Sequence, residues 1–400
     1  MSVKNQFRHT QTSQIFTSGV MIRRLSICFH LGLFAVAGIA NADGDTLKDT
    51  FDGDFYIGAA LSSDFASHNG EARRELVARE FNSVTSENAQ KWAPMNPKPG
   101  VMRLKAGDEF VKFGSRARMY VVGHVLFWHN QTPDWVFENE KGKPLDRAAL
   151  LVRMEERVKL VADRYGRNID AWDVVNEAYL GNGKPRNTKW RQIVGDDFVE
   201  QAFRIAHNGL PLNVDLIYND YGMTQPGRRK AVVDMVRDLK SKGVRIDGVG
   251  MQGHWTLDKP SIEEIEKSII AFANAGVKIH ISELDIDVLP DRNIAFGANI
   301  KKTLKSTLSN DPYKDGLPPE MQRKLADRYA EIFSLFHKHR DKVKRVTFWG
   351  ETDAYSWLNN WPIDGRTNYG LLFDRKYERK LAHRAVIEVK KNKEASNSGR

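Results

Sequence analysis

The sequence predicts a single-domain (β/α)8 (TIM) barrel. Short apolar, β-branched runs alternate with amphipathic stretches of helical spacing, and eight such alternations can be counted. No low-complexity linker interrupts residues 45–390, and a length of about 350 residues suits one barrel with insertions. Continuous apolar strands separated by helices are typical of a parallel sheet that is covered on both faces.

The predicted strands and helices follow each other in strict order. The helical stretch 151–166 stops at Gly166, and the stretch 261–276 begins on a serine with Glu264 three residues later, the pattern of a capping box. The strands are predicted at 55–61, 83–86, 119–127, 171–176, 215–220, 248–254, 278–286 and 345–351. The helices are predicted near 71–79, 108–117, 147–165, 196–207, 226–242, 261–275, 319–338 and 376–391.

Residues 1–42 are predicted to be an N-terminal extension and signal peptide. After Met21, two arginines precede an apolar run that ends in a small-x-small pattern at 40–42, typical of a signal-peptidase site. The run is shorter than the roughly 20 residues that span a membrane, and an uncleaved anchor helix is the alternative. We expect Met21 to be the start and cleavage to follow Ala42, which would export the protein to the periplasm or the medium. The remaining divisions are a barrel domain at 43–390 and a basic polar tail at 391–400.

The composition excludes several classes of function. Cys28 is the one cysteine and lies in the predicted signal peptide, so neither a disulfide framework nor a cysteine metal site is expected in the mature chain. The formal net charge is +10, and residues 1–42 contribute basic residues but no acidic ones. The rest of the excess is spread along the chain, so we expect no nucleic-acid partner. The mature protein is expected to be a monomer without stable membrane association.

Polar and aromatic side chains follow almost every predicted strand. A single polar strand end, such as Asn176-Glu177 after WDVV, is typical of a strand that meets solvent. In a barrel of parallel strands, however, all carboxyl ends share one rim, and active sites lie there. Many polar ends on one rim therefore predict a functional site. These residues are Glu87, Asn88, Lys91, His124, Trp128, His129, Asn176, Glu177, Asn219, Asp220, Tyr221, Gln252, His254, Glu283, Asp285, Trp349 and Trp357.

Glu177 after the fourth strand and Glu283 on the seventh are predicted to face each other across the barrel mouth. Two facing carboxyl groups are what glycoside hydrolysis requires. His254 and Asp285 are expected to hold Glu283 ionised, which suits a nucleophile. Beside an ionised Glu283, and in an apolar segment, the pKa of Glu177 should be raised, which suits a general acid/base. Asn176 is placed to hydrogen-bond a sugar hydroxyl.

The tryptophans and histidines leave alternatives open. The chain has nine tryptophans, whose flat rings fit the apolar faces of sugars but are also common core residues. Trp349 and Trp357 lie at and beyond a strand end, which favours sugar contact. His124, His129 and His254 could supply a zinc site, but no paired HExxH-type spacing is present and zinc would leave both glutamates unexplained. We therefore expect no metal and no cofactor.

The chain resembles glycoside hydrolase family 10, the endo-β-1,4-xylanases. The matching segments run in family order and cover nearly all of 45–390. Two positions depart from the family pattern: Val122 stands where arginine is common, and Gly222 stands where asparagine often follows Asp-Tyr. The segments are TSENAQKW (85–92), GHVLFWHNQTPDW (123–135), WDVVNEA (172–178), YNDY (218–221), GVGMQGH (248–254), ISELDI (281–286) and WGETDAYSW (349–357).

The resemblance implies retaining endo-hydrolysis of β-1,4-xylosidic bonds in xylan or xylooligosaccharides by double displacement. Glu177 would be the acid/base and Glu283 the nucleophile, with His254 and Asp285 hydrogen-bonded in support. The same chemistry on a β-glucan or aryl glycoside, and a non-enzymatic sugar-binding barrel, are the alternatives. The implied substrate contacts are Glu87, Asn88, Lys91, His124, Trp128, Asn176 and Gln252 on the glycone side, Trp349 and Trp357 as a hydrophobic wall, and Tyr221 on the aglycone side.

Overall fold

The computed structural model describes residues 45–65, 70–289 and 302–398, and it contains a closed barrel of eight parallel strands. Consecutive strands pair with each other, and the eighth pairs with both the seventh and the first, which closes the barrel. The predicted (β/α)8 barrel is confirmed. The barrel strands are Tyr56–Leu61, Ser83–Ser86, Tyr120–Gly123, Ala171–Asn176, Asp215–Asp220, Gly248–Met251, Lys278–Asp287 and Val343–Phe348.

Helices connect successive strands and cover the outside of the barrel. Each connection returns the chain to the start of the next parallel strand, as a parallel sheet requires. The predicted start at Ser261 is confirmed, because its hydroxyl accepts the amide of Glu264 at 3.2 Å. Apolar side chains from helices and strands form one large core, and Tyr120, Val122, Ala171 and Ile217 form a small second cluster. The main helices are Glu71–Glu80, Lys105–Arg116, Arg147–Tyr165, Lys189–Val194, Phe198–Gly209, Pro226–Ser241, Ile262–Asn274, Pro319–Lys338 and Leu381–Ser398.

The third strand is shorter than predicted. It ends at Gly123, and the chain is extended again only at Phe127–Trp128, which pairs with the fourth strand. Between these segments the His124 imidazole turns inward and contacts the Asp173 carboxylate, with 2.8 Å between Nδ1 and Oδ2. The break directs His124 into the barrel, and a continuous apolar run gives no sign of it.

The sixth strand is also interrupted. It ends at Met251, and His254–Thr256 pairs with the seventh strand. At Gly253, an added Cβ atom would lie 2.9 Å from Cδ1 and 3.2 Å from Cα of Leu284, so the sixth and seventh strand segments pass closely here and a side chain would require Leu284 to shift. This close passage carries His254 across to the seventh strand, beside Glu283.

The last helix differs from the prediction at both ends. It begins at Leu381 because Asp374 closes a turn before it, its carboxylate accepting the backbone amides two and four residues later at 2.7 and 2.9 Å. It continues to Ser398, so residues 391–398, predicted as part of a basic tail, are helical.

The predicted signal peptide at 1–42, its start at Met21 and its cleavage site after Ala42 lie outside the described residues. Over 45–65, 70–289 and 302–398, no helix is long and apolar enough to cross a membrane. The predicted export therefore stays a prediction.

Candidate active site

The two predicted carboxylates both have left-handed backbone. Glu177 directly follows the fourth strand with φ +59°, and Glu283 lies within the seventh strand with φ +60°. Between Ile281 and Leu284 the register against the eighth strand slips by one residue, which places a β-bulge at Glu283. Left-handed backbone costs a residue other than glycine on the order of 1–3 kcal/mol and is concentrated at functional sites. Neither conformation is visible in the sequence pattern.

The glutamates line one cleft of about 470 Å³ at the carboxyl ends of the barrel strands. The predicted residues that line it come from the ends of all strands but the first. Asp285 does not line it and lies behind His254. The predicted lining residues are Glu87, Asn88, Lys91, His124, Trp128, Asn176, Glu177, Tyr221, Gln252, His254, Glu283, Trp349 and Trp357, and they are joined by Gln131, Gly222, Gln225 and Trp361.

Glu283 is surrounded by groups that favour its ionised form. Its Oε2 lies 3.0 Å from Nε2 of His254, and its Oε1 accepts the Asn219 amide at 2.7 Å. Burial alone would raise the pKa of this carboxyl, but the His254 hydrogen bond, reinforced by His124 and Asn219, holds the pKa below its usual value. The site therefore contains a buried, oriented carboxylate.

His254 is held between two carboxylates. Its Nδ1 lies 3.0 Å from Oδ2 of Asp285, on the side opposite Glu283. Burial would lower the pKa of the imidazole, but the two carboxylates, Asp285 and Glu283, together outweigh burial and raise the pKa to about 9. At neutral pH the ring is therefore protonated and can donate to both carboxylates.

The carboxyl group of Glu177 has the opposite environment. It is buried, and its Oε1 is only loosely approached by the side-chain amides of Asn176 at 3.4 Å and Gln252 at 3.5 Å. Its Oε2 has no hydrogen-bond partner in the part of the chain that the structure describes. Burial raises the pKa of Glu177, and the charge of Glu283 raises it further. This carboxyl therefore favours the protonated form, with one oxygen available for a ligand in the cleft.

Three amide side chains connect the two carboxyl groups. The atom of the Asn219 amide that contacts the Glu283 carboxylate is its nitrogen, because only the nitrogen can donate. The same nitrogen donates to the side-chain oxygen of Asn176 at 3.0 Å. Gln252 donates to the same oxygen at 3.0 Å, and the Asn176 nitrogen faces Glu177. A continuous chain of amides thus links the Glu283 carboxylate to the Glu177 carboxyl group.

An aromatic wall closes one side of the cleft. Trp357 and Trp361 are stacked, with ring centroids 4.9 Å apart and an interplanar angle of 12°. The indole nitrogen of Trp357 donates to Oδ2 of Asp285 at 2.7 Å, the same oxygen that His254 contacts. Trp357 is thereby part of the polar chain behind Glu283 as well as of the wall.

A lysine and a carboxyl group that follow the second strand also line the cleft. Lys91 donates to Asn88 at 3.0 Å, and its ammonium group lies 4.8 Å from the centroid of the Trp128 ring. Burial lowers the pKa of Lys91 and raises the pKa of Glu87, although each group counters the shift of the other. Buried polar groups of this kind suit the recognition of sugar hydroxyls.

The three histidines of the zinc alternative do not converge. His124 bonds to Asp173, whereas His254 bonds to the two carboxylates behind the cleft. His129 lines a neighbouring cavity, where burial lowers its pKa to about 3. Within the described ranges, no group of three or more histidine, cysteine or acidic side chains is placed to hold a metal ion.

The sequence does not predict the following three contacts of the site residues. Asn219 was placed at a strand end but not paired with Glu283, and Trp361 was indistinguishable from a core tryptophan. Asp173, the partner of His124, lies in an apolar run and carried no signal beyond its charge. Of these three, only Asn219 has a signal in the sequence: in YNDY it is a polar residue on a barrel strand directly before the rim.

A buried carboxylate and a second buried carboxyl group with a raised pKa, in one barrel cleft, are the two groups that glycoside hydrolysis requires, and they indicate a glycoside hydrolase. Residues 46–389 match the model of glycosyl hydrolase family 10, and the chain belongs to this family. It is 39% identical over 369 residues to endo-1,4-beta-xylanase A of Xylanibacter ruminicola, covering 92% of this chain and 100% of that protein. It is 38% identical to the endo-1,4-beta-xylanase of Geobacillus stearothermophilus, covering 86% of this chain and 98% of that protein.

Solved structures agree with this assignment. A GH10 endoxylanase retrieved from a sugarcane soil metagenome is 44% identical, with a TM-score of 0.82 over 86% of this chain and 99% of that chain. A second structure, 32% identical with a TM-score of 0.76, is a mutant in complex with xylotriose; it covers 86% of this chain and 99% of that chain.

Proposed function

We propose that the protein is a retaining endo-1,4-β-xylanase in which Glu177 is the acid/base and Glu283 the nucleophile. The observation that carries the proposal is the contrast between two buried carboxyl groups that line one cleft: Glu283 is hydrogen-bonded by His254 and Asn219, whereas Oε2 of Glu177 has no hydrogen-bond partner among the described residues. The pKa of Glu283 is lowered and that of Glu177 is raised accordingly. The names of the relatives supply the substrate, xylan. A solved relative in complex with xylotriose supports xylooligosaccharides as ligands.

In the first step, the Glu283 carboxylate attacks the anomeric carbon while Glu177 donates its proton to the leaving glycosidic oxygen. His254 and Asn219 keep Glu283 aimed at the carbon, since each binds one of its two oxygens. The products are a covalent glycosyl-enzyme ester and a shortened chain with a new hydroxyl group.

In the second step, Glu177 acts as a base. Esterification removes the negative charge of Glu283, which is one of the causes that raise the pKa of Glu177. The pKa of Glu177 should therefore fall once the ester forms, so that the carboxylate can take a proton from the attacking water. Two inversions at the anomeric carbon leave the β configuration unchanged.

The aromatic wall bears on the choice between xylan and β-glucan. Glucose carries a hydroxymethyl group that xylose lacks. Because Trp357 and Trp361 are stacked on each other, neither ring can easily move aside to make room for that group. We therefore expect kcat/KM on linear xylooligosaccharides to exceed that on cello-oligosaccharides of equal length by at least about tenfold, the scale of one misfit group in an apolar pocket. Rates from product chromatography test this. Equal or faster cleavage of the glucans would favour the β-glucanase alternative.

The stereochemical course tests the mechanism directly. Proton NMR during hydrolysis of xylopentaose should first show the β-anomer of the new reducing end, followed by slow mutarotation. First appearance of the α-anomer would mean inversion and would rule out Glu283 as a nucleophile. Binding without any hydrolysis would instead favour a sugar-binding barrel.

We further propose that the protein is exported after cleavage behind Ala42 and acts as a monomer. Not every relative is exported, since one structure is that of an intracellular xylanase from Thermoanaerobacterium saccharolyticum. Mass spectrometry of the protein recovered from its native host should give a chain that begins at Asp43, and light scattering should give the mass of one chain. A chain that retains residues 21–42 would contradict the cleavage.

A further inference from the structure

We propose that Arg186 is a positioning residue for the acid/base, and that it couples the orientation of Glu177 to Tyr221. The inference rests on the proposed role of Glu177. Arg186 does not line the substrate cleft; it lines the neighbouring cavity of about 310 Å³ that lies behind Glu177. It therefore acts on the cleft through the residues that it binds.

The peptide group that follows Glu177 is held by side chains at both of its polar atoms. Its carbonyl accepts Nε of Arg186 at 3.0 Å, and its N–H, which belongs to Ala178, donates to the Tyr218 hydroxyl at 3.0 Å. The fourth strand ends at Asn176, so strand pairing does not fix this peptide. Two hydrogen bonds on opposite edges of one peptide plane set its rotation, and with it the left-handed backbone that aims Glu177.

Arg186 also binds the aromatic residue on the proposed aglycone side. Its Nη2 donates to the Tyr221 hydroxyl at 3.0 Å, and Tyr221 lines the cleft. The planar guanidinium can serve the Glu177 carbonyl and the Tyr221 hydroxyl at once because its N–H groups form a rigid fork. A leaving-group sugar that packs on Tyr221 would thus contact a residue that is hydrogen-bonded to Arg186, and Arg186 in turn orients the acid.

The contacts close into a ring. The Tyr218 hydroxyl that binds Ala178 donates to Oδ2 of Asp220 at 2.6 Å, and Asp220 is paired with Arg228 at 3.8 Å. The Arg228 guanidinium lies over the Tyr221 ring, 4.1 Å from its centroid, and donates to the Tyr221 carbonyl. Tyr221 is held on one side by Arg186 and on the other by Arg228, so its position depends on both.

The surrounding loop does not need the Arg186 side chain to close. The Arg186 amide donates to the Ala178 carbonyl at 2.7 Å, and the Leu180 amide donates to the Lys184 carbonyl at 2.8 Å. These backbone bonds fold the segment back on itself. The one contact of the guanidinium with the loop itself is a long one, from Nη2 to the Tyr179 carbonyl at 3.4 Å, so loss of the side chain should leave the backbone bonds of the loop in place.

The test compares leaving groups that do and do not need a proton. We expect Arg186→Met to lower kcat/KM for xylopentaose by roughly 100-fold, the low end of the contribution of a positioned acid. For 2,4-dinitrophenyl β-xylobioside, whose leaving group departs without protonation, we expect less than about a threefold loss. Lys189→Met is the matched control, because Lys189 lies in the same segment but pairs with exposed Asp134. It should change neither rate.

Two milder variants support the test if Arg186→Met does not fold. Arg186→Lys keeps the charge but loses the fork, and Tyr221→Phe removes only the hydroxyl that Arg186 binds. Both should show the same selective loss on xylopentaose, to a smaller degree. Equal losses on the two substrates, or no loss on either, would overturn the positioning role. If Glu177→Ala loses kcat/KM equally on xylopentaose and on 2,4-dinitrophenyl β-xylobioside, the proposed acid/base role of Glu177 is wrong instead.

Discussion

Replacing Glu283 by alanine should reduce release of reducing sugars from xylan on the order of 10⁴-fold or more, the scale seen when a catalytic nucleophile is removed. No other described side chain that lines the cleft is a carboxylate held ionised by a protonated histidine. His254 keeps Asp285 as a partner in the variant, so its charge is not left unpaired. Wild-type rates in this variant would contradict the proposed function.

A rescue experiment separates chemistry from folding. Azide can occupy the space left by the Glu283 carboxyl and attack 2,4-dinitrophenyl β-xylobioside from the same face, which would give the α-glycosyl azide. The variant also loses the hydrogen bonds of Glu283 to His254 and Asn219, so thermal unfolding should be measured alongside. Glu80→Gln is the matched control: Glu80 is equally buried but lies on the helix Glu71–Glu80, and its replacement should affect stability without changing activity.

Replacing Glu177 by alanine should reduce kcat/KM on xylooligosaccharides by about 10²–10⁴-fold, the contribution of general acid catalysis. With a dinitrophenyl leaving group the first step should stay fast and the glycosyl-enzyme ester should accumulate, because no base activates water. Azide should then speed turnover and give the β-glycosyl azide, the opposite anomer from the Glu283 variant. An α-azide from the Glu177 variant would mean that Glu177 is the nucleophile and Glu283 the acid/base.

The pH dependence of the wild-type enzyme follows from the two pKa shifts. Glu283 must be ionised, and its lowered pKa means that activity is lost only as the pH falls well into the acidic range. Glu177 must be protonated, and its raised pKa means that activity persists above the usual carboxyl range and is lost as the pH rises through that value. In Glu177→Ala the basic limb of kcat/KM should disappear, while the acidic limb should remain. A basic limb that is unchanged would assign it to another group.

The amino-acid sequence alone was enough to place the main chemical groups. The alternation of apolar runs and amphipathic stretches predicts the barrel, and in a barrel the carboxyl end of every strand lies on one rim. Glu177 and Glu283 could therefore be assigned to one cleft although they are far apart in the chain. The same argument brought His254 and Trp357 to that rim, because it needs only strand order and direction.

Other features were decided by the tertiary structure. The left-handed backbone at Glu177 and Glu283, the break that turns His124 inward and the shared oxygen of Asp285 depend on how distant segments approach each other. Arg186 lies in a polar loop, and only its contacts with the acid-bearing peptide distinguish it from a surface arginine. Periodicity and composition record which face of an element is buried. They do not record the register and close contacts between elements, and these aim the carboxyl groups and set their pKa values.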